Sequence, residues 1–212
     1  MKEISSKKQL AIALSHVKGF DQAKVSSEQY LTDSNIAADI LWNCHILGDF
    51  SKVSGKVLDL GAGTGILGIG ARLLSAVSVE FIENDSKAID VLKANLGTMG
   101  IVSLVDVRLC DLSSISSSDY NRKNLIIMNP PFGTKKKHAD KEFLEKAFEI
   151  GDVVYSIHKS NTKGFVEAFA RDSGFVITHS WEYQFPLLRS MEHHTKVKEF
   201  VDVTCFRFEK NY

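Results

Sequence analysis

Residues 57–66 read Val57-Leu58-Asp59-Leu60-Gly61-Ala62-Gly63-Thr64-Gly65-Ile66, and their order carries most of the fold. Lys56–Leu60 is short and mostly apolar, the pattern of a buried strand. Three glycines follow at alternate positions. Without a Cβ, the backbone there can turn tightly and approach a ligand closely. Apolar residues at helical spacing begin at Ile66, so the turn leads into a helix over about 66–75. A strand, a glycine turn and a helix in that order open a βαβ unit. The glycine spacing departs from the dinucleotide fingerprint, which keeps two residues between its later glycines. Asp59 beside the turn disfavours a pyrophosphate and favours a cationic ligand. S-adenosylmethionine carries a sulfonium and an ammonium, so Asp59, Gly61, Gly63, Thr64 and Ile66 suit it better than a nicotinamide dinucleotide.

The same alternation continues on both sides of the turn. Val77–Ile82 reads as the next strand, and Asn84 or Asp85 caps a helix carrying Ile89, Leu92 and Leu96 that ends near Gly97. Strands follow at 103–109 and 124–128. Asp140 caps a helix with Phe143, Leu144, Ala147 and Phe148, stopped by Gly151. Asp152–Ile157 is a fifth strand, and a helix over 162–172 ends at Gly174. Two runs, 175–184 and 199–208, have no helical pattern between them and read as an antiparallel pair. Upstream, residues 7–17 are helical and stop at Gly19. Ile36, Ile40, Leu41, Cys44 and Leu47 form a second helical stripe, with Asp33 or Ser34 as N-cap. Alternating β and α units imply a largely parallel sheet covered on both faces, and right-handed crossovers make it doubly wound. The expected fold is therefore α/β and Rossmann-like. Its sheet is mixed and seven-stranded, six strands parallel and one antiparallel, with helices on both faces. One domain spans 1–212.

Composition narrows the partners. The 212 residues are 44% hydrophobic and 25% charged, ordinary for a globular domain, and 26 basic residues balance 26 acidic ones. A net charge of zero argues against bulk, sequence-blind nucleic-acid binding but permits a local basic patch. Cys44, Cys110 and Cys205 stand singly with no metal spacing, as packing residues do in a reducing compartment. No apolar run reaches transmembrane length and no signal-peptide core opens the chain, so no membrane association is expected and the cytoplasm is the expected location.

Three further positions fall at strand ends bordering the same crevice. Glu83 follows the second strand, where an acid can accept ribose hydroxyls; the alternative is an acid favoured by a helix N-terminus. Asp111 follows the third strand and could accept from an adenine amine, with Leu112 packing on the ring; a loop-opening Asx-turn is the alternative. The fourth strand, Leu125-Ile126-Ile127-Met128, ends in Asn129-Pro130-Pro131-Phe132. Two prolines cannot continue a strand, so the chain turns there stiffly. The amine of an aromatic base is a poor nucleophile because its lone pair is delocalised. The Asn129 side-chain oxygen and the Pro130 carbonyl can each hold one N–H and so orient that lone pair, while Phe132 stacks on the base. No Pro-Cys pair is present, which argues against a covalent route.

Together Gly61-Ala62-Gly63-Thr64-Gly65, Glu83, Asp111 and Asn129-Pro130-Pro131-Phe132 resemble the class I S-adenosylmethionine-dependent amino-methyltransferases. Glu28-Gln29-Tyr30-Leu31-Thr32, Asn129 through Lys135, and Tyr155-Ser156-Ile157-His158-Lys159-Ser160 extend the resemblance. They are similar to the small archaeal and eukaryotic N6-adenine rRNA methyltransferases, the methyltransferase-like five family. The resemblance implies a class I methyltransferase fold and S-adenosylmethionine as cofactor. It adds Gln29, Tyr30 and Thr32 to the cofactor site, with residues 1–50 as a helical part closing over it. Leu31 stands where that family usually has proline, and Glu83 where Asp is common. The resemblance also implies structured RNA as substrate, small-subunit rRNA in particular, and a small zinc-binding activator protein as partner. The basic residues Lys135, Lys136, Lys137, His158, Lys159 and Arg189 are the candidate RNA contacts, against the plain alternative of solvated surface charge. Arg189, His193, His194, Lys196 and Lys198 are expected in the connection between the last two strands. Three other activities remain compatible with the motifs: N2-guanine methylation, protein glutamine methylation, and RNA binding without catalysis.

Overall fold

The computed structural model describes residues 4–20, 31–74, 76, 78–132, 139–190 and 196–211, with the backbone alone for 139, 187–190 and 196–199. The strands are β1 (Val57–Leu60), β2 (Val79–Glu83), β3 (Val105–Leu109), β4 (Leu125–Met128), β5 (Val153–Lys159), β6 (Phe175–Ser190) and β7 (Lys196–Lys210). They form one sheet in the order β3-β2-β1-β4-β5-β7-β6. β7 is antiparallel to both its neighbours and the other pairings are parallel. β1 and β4 are buried at every position. Strands covered on both faces are apolar throughout rather than alternating.

The helices are α1 (Lys7–Leu14), α2 (Ser34–Ile46), α3 (Asp49–Lys52), α4 (Ile66–Leu73), α5 (Ser86–Thr98), α6 (Ala139–Ile150) and α7 (Lys163–Asp172). α1, α2, α4 and α5 bury Leu10, Leu14, Leu41, Ile69 and Leu92 on one face of the sheet. α6 and α7 bury Leu144, Phe148, Val166 and Ala170 on the other. There Phe148 stacks on Phe175 with centroids 4.2 Å apart and meets Phe208 edge-on at 5.2 Å. Such aromatic pairs each add about 0.5–1.5 kcal/mol beyond area burial. α4 lies close to the sheet because two of its residues lack side chains. A Cβ at Gly68 would run into the Phe81 ring of β2, and one at Gly70 into Leu41 of α2.

Three features differ from the sequence expectation. β5 runs on to Lys159, so His158 lies within a strand rather than after it. The last two strands are longer than expected, and Arg189, Lys196 and Lys198 stand on β6 and β7, paired in register, not in a connection. α3 is an unexpected single turn that delivers Asp49 to a buried ion pair. Arg207 of β7 donates from Nε and Nη2 to the two Asp49 oxygens at 2.7 and 2.8 Å, and Tyr155 of β5 donates to Asp49 at 2.7 Å. Burial opposes ionisation of Asp49, but the Arg207 and Tyr155 hydrogen bonds outweigh it and hold the carboxyl below its ordinary range. Among the described residues no helix is long and apolar enough to cross a membrane.

Candidate active site

The register brings the strand ends together. Leu60 pairs with Ile82 on one side and Met128 on the other, and Glu83 pairs with Leu109. Asp111, Glu83, Gly61 and Asn129 therefore follow one another in that order along the carboxyl edge of the sheet. Strand order reverses between β1 and β4, the point at which such sheets bind ligands.

The glycine turn is built for close approach. Gly61, Gly63 and Gly65 take φ of 67°, 54° and 91°, a region that side chains disfavour. Gly61 and Ala62 both donate to the Ile82 carbonyl at 2.9 and 3.0 Å, which pins the turn to β2. Phe143 of α6 and Phe20 sit where a Cβ on Gly61 or Gly63 would go. From α5, the buried amide of Asn95 donates to the carbonyls of Thr64 and Lys18, and accepts from the Lys18 amide. It thus ties the segment after α1 to the turn. The Thr64 hydroxyl is buried and has no partner among the described residues. Buried hydroxyls are costly unless hydrogen-bonded, so this one suits a ligand.

Glu83 reaches back across the turn. One carboxylate oxygen accepts from the Gly63 amide at 2.8 Å, and the other from Asn84 and Asp85 amides at 2.9 Å. With about four lone-pair positions on a carboxylate, one remains for a ligand hydroxyl. Asp111 is exposed at the end of β3 and accepts from Asn84 Nδ2 at 3.0 Å, with Leu112 half-buried beside it. Asp59 and Ile66 are buried beneath the turn. Asp59 differs from expectation. Its carboxylate accepts from the Gly68 amide at 2.7 Å, bracing β1 to α4. Burial pushes its pKa up to about 7, and the charge of Glu83 adds to the rise, against the Gly68 hydrogen bond. A carboxylate so placed supports the turn from below rather than meeting a cation in the crevice.

The fourth strand end carries the Asn-Pro-Pro-Phe turn. Asn129 Nδ2 donates to Thr32 Oγ1 at 3.0 Å, and Asn129 Oδ1 is buried with no partner among the described residues. Pro130 is buried and Pro131 half-buried. Phe132 is buried, meets Phe185 of β6 edge-on at 6.1 Å, and has the Lys159 ammonium 5.9 Å from its ring centroid. The side-chain hydrogen bond shown for Thr32 thus runs to the acceptor turn. His158 corrects an expectation. It is 1% exposed, its Nε2 lies 2.6 Å from Ser156 Oγ, and the Phe206 ring is beside it. β5 is buried on both faces from Val153 to His158, and burial lowers the His158 pKa to about 3, so it is neutral and no RNA contact. Gln29, Tyr30, Lys135, Lys136, Lys137, His193 and His194 lie outside the described residues. Arg189 is placed by its backbone on β6.

Sequence reasoning missed Phe20, Asn84 and Asn95. Asn95 left a trace, a polar residue beside the apolar stripe of Leu92 and Leu96, which in a buried position demands hydrogen-bond partners. Phe20 and Asn84 carried no such signal.

A sheet of this order, with a glycine turn after the first strand and acids at the ends of the next two, defines a class I methyltransferase domain. Residues 37–150 match the methyltransferase small domain family, and the chain belongs to that family. It is 39% identical over 210 residues to the uncharacterized protein MJ0284 of Methanocaldococcus jannaschii, covering 96% of this chain and 94% of that one. It is 34% identical over 204 residues to the rRNA N(6)-adenosine-methyltransferase METTL5 of Danio rerio, covering 95% and 97%. Among solved structures, a Pyrococcus horikoshii protein named provisionally as an RNA methyltransferase, PH1948, superposes with a TM-score of 0.87 at 45% identity, covering 99% of this chain and all of that one.

Proposed function

We propose that this methyltransferase transfers a methyl group from S-adenosylmethionine to N6 of an adenosine in structured RNA, the small-subunit rRNA in particular. The observation that carries the reading is the Asn129 amide. Its nitrogen is bonded to Thr32, and its oxygen is a buried acceptor without a partner among the described residues. An acceptor left in that state costs about 1–3 kcal/mol, which an amine donor recovers. The names of the zebrafish relative and its kind supply the base and the RNA.

The residues present fit the cofactor. The Gly61 and Gly63 cradle, the unpartnered Thr64 hydroxyl and the open position on Glu83 would hold it, with Asp111 and Leu112 at its base end and Gln29 and Tyr30 closing over it as part of residues 1–50. When bound, it supplies an electrophilic methyl group. Asn129 Oδ1 and the Pro130 carbonyl each accept one N–H of the base amine, freeing the lone pair from the ring. As positive charge develops on the amine, both oxygens stabilise it. Pro130 and Pro131 stiffen the turn, so the acceptors need no reorganisation. Phe132 contacts the base ring. To reach Asn129 the base leaves its stack, at a few kcal/mol, so an unpaired or distorted adenosine is the target. Lys135, Lys136, Lys137, Lys159 and Arg189 contact phosphates. The enzyme acts in the cytoplasm, with a small zinc-binding activator protein as partner.

Nucleoside mass spectrometry of rRNA from a deletion strain and its parent tests the reading. Loss of one N6-methyladenosine on deletion is expected. Unchanged rRNA, with tritiated methyl entering protein fractions instead, would overturn it.

A further inference from the structure

Resting on that reading of the cofactor, we infer that Phe20 is a wall of the cofactor pocket and that Asn95 is the positioning residue that holds it there. Asn95 stands on α5 and is 1% exposed. Its three hydrogen bonds admit one orientation of the amide. Oδ1 accepts from the Lys18 amide at 2.9 Å, and Nδ2 donates to the Lys18 and Thr64 carbonyls at 3.0 and 2.9 Å. A backbone N–H only donates and a carbonyl only accepts, so a rotated amide would set like against like at all three contacts. Asn95 therefore fixes Lys18 relative to Thr64 in the glycine turn. From the same helix, Leu92 fills the space where a Cβ on Gly65 would stand, so α5 braces the turn and clamps Lys18 to it.

What the clamp seats is Phe20, two residues beyond Lys18. A Cβ built on Gly63 would come within 2.9 Å of Phe20 Cζ, so the ring stands on the open face of that glycine. Phe143 stands in the same relation to Gly61. Both rings are half-buried, so two partly exposed aromatic walls line the turn proposed to cradle the cofactor. A ligand that covers the exposed part of such a ring buries apolar surface and gains affinity. Phe143 is carried by α6, but Phe20 belongs to no helix or strand. Among the described residues, the hydrogen bonds made by 18–20 are those of Lys18 with Asn95. The same segment also touches the other half of the site. A Cβ on Gly19 would lie 3.6 Å from Leu31 Cδ2, and Thr32, next in sequence, is bonded to Asn129.

Phe20→Ala removes the ring, and Asn95→Ala removes the clamp. Each should weaken the binding of S-adenosylhomocysteine, measured by calorimetry, about tenfold. The double variant tests the link between them. If Asn95 acts through Phe20, the double variant binds about as weakly as the worse single one, because the ring to be positioned is already gone. Losses that multiply to about a hundredfold would show that Asn95 does not act through the ring. Phe20→Ala binding within twofold of wild type would overturn the wall itself. The clamp can also be read in the unaltered protein, whether or not Asn95→Ala folds. A ligand that uses the seated ring favours the closed clamp, so saturating S-adenosylhomocysteine should slow hydrogen exchange of the Lys18 amide about tenfold or more. Exchange unchanged by the ligand would overturn the coupling. Wild-type protein that binds neither S-adenosylmethionine nor S-adenosylhomocysteine would sink the cofactor reading itself. Binding that is present in wild type and survives both substitutions would sink only the roles of Phe20 and Asn95.

Discussion

At the residue scale, the acceptor and cofactor halves of the site use hydrogen bonds differently, and substitutions should separate them. Asn129 presents an acceptor oxygen that has no partner among the described residues, so its removal forfeits in the resting protein only the amide bond to Thr32. Asn129→Ala should lower the turnover number by about two to three orders of magnitude, the usual cost of an oriented donor or acceptor at developing charge. Cofactor affinity should hardly move. Turnover within a few-fold of wild type in a tritiated-methyl assay would rule out the acceptor role. Glu83 is already engaged by three backbone amides and has one open position. Glu83→Ala should weaken cofactor binding by tenfold or more in calorimetry, through the lost hydroxyl contact and a loosened glycine turn. An unchanged dissociation constant would remove Glu83 from the pocket. Much of this site was legible in the sequence because its chemistry is written in consecutive residues: glycines without Cβ atoms, and an amide followed by two prolines. What was not legible depends on distant pairs. The Thr32–Asn129 bond joins positions that no local pattern relates, and His158 was misread because β5 continues through it with both faces covered, which its polar neighbours in sequence do not reveal.

At the element scale, the central parallel strands were legible because burial on both faces makes them continuously apolar, and the helices because capping residues and glycines mark their ends. The lengths of β6 and β7 were not. Their distal parts, around Leu187–Ser190 and Lys196–Phe200, are held by pairing with each other, and a ladder between two strands needs no apolar alternation to persist. α3 escaped for a different reason: at four residues it has no periodicity to read. Yet α3 anchors a buried ion pair, with Asp49 and Arg207 at 0% and 3% side-chain exposure. Asp49→Ala would leave the guanidinium with Glu209 and Thr178 but without its main counter-charge. Breaking one side of such a pair costs about 3–5 kcal/mol. Since each kcal/mol moves the midpoint of a domain this size by about 2–4 °C, the melting temperature should drop by about 10 °C. Asp49→Leu combined with Arg207→Met should recover most of it, because apolar replacement of both partners removes the unpaired charge. Thermal denaturation followed by circular dichroism decides, and a double variant no more stable than Asp49→Ala would show that the network has other essential members.

At the scale of the whole molecule, the protein carries no net charge, so its pH dependence comes from individual buried groups. Two buried groups shifted in opposite senses, Asp59 under the glycine turn and His158 in β5, act on the acid side of neutrality. The folded pKa of Asp59 is raised from an ordinary 3.8 to about 7, so the folded state holds a proton that the unfolded chain gives up between those values. Where the unfolded chain binds fewer protons, stability falls as pH rises. Asp59 should therefore lower stability progressively from about pH 4 to pH 7, by up to about 1.4 kcal/mol per pH unit for a single proton. Asp49 acts in the opposite sense. Its depressed pKa gives stability that is present above the ordinary carboxylate range and lost as pH falls below it. His158 also acts in the opposite sense to Asp59: its folded pKa is about 3 against an ordinary 6.5, so stability missing at acid pH returns as pH rises to about 6.5, and only the difference between a variant of Asp59 and wild type, followed by urea denaturation between pH 5 and 8, isolates Asp59. Asp59→Asn keeps an acceptor for the Gly68 amide and removes the ionisation. The stability of the variant minus that of wild type should grow from pH 5 to about pH 7 and level off above it. Parallel profiles for the two proteins would mean that Asp59 ionises alike in both states. The glycine turn would then rest on a charged carboxylate, and the cation in the crevice would again have a counter-ion beneath it.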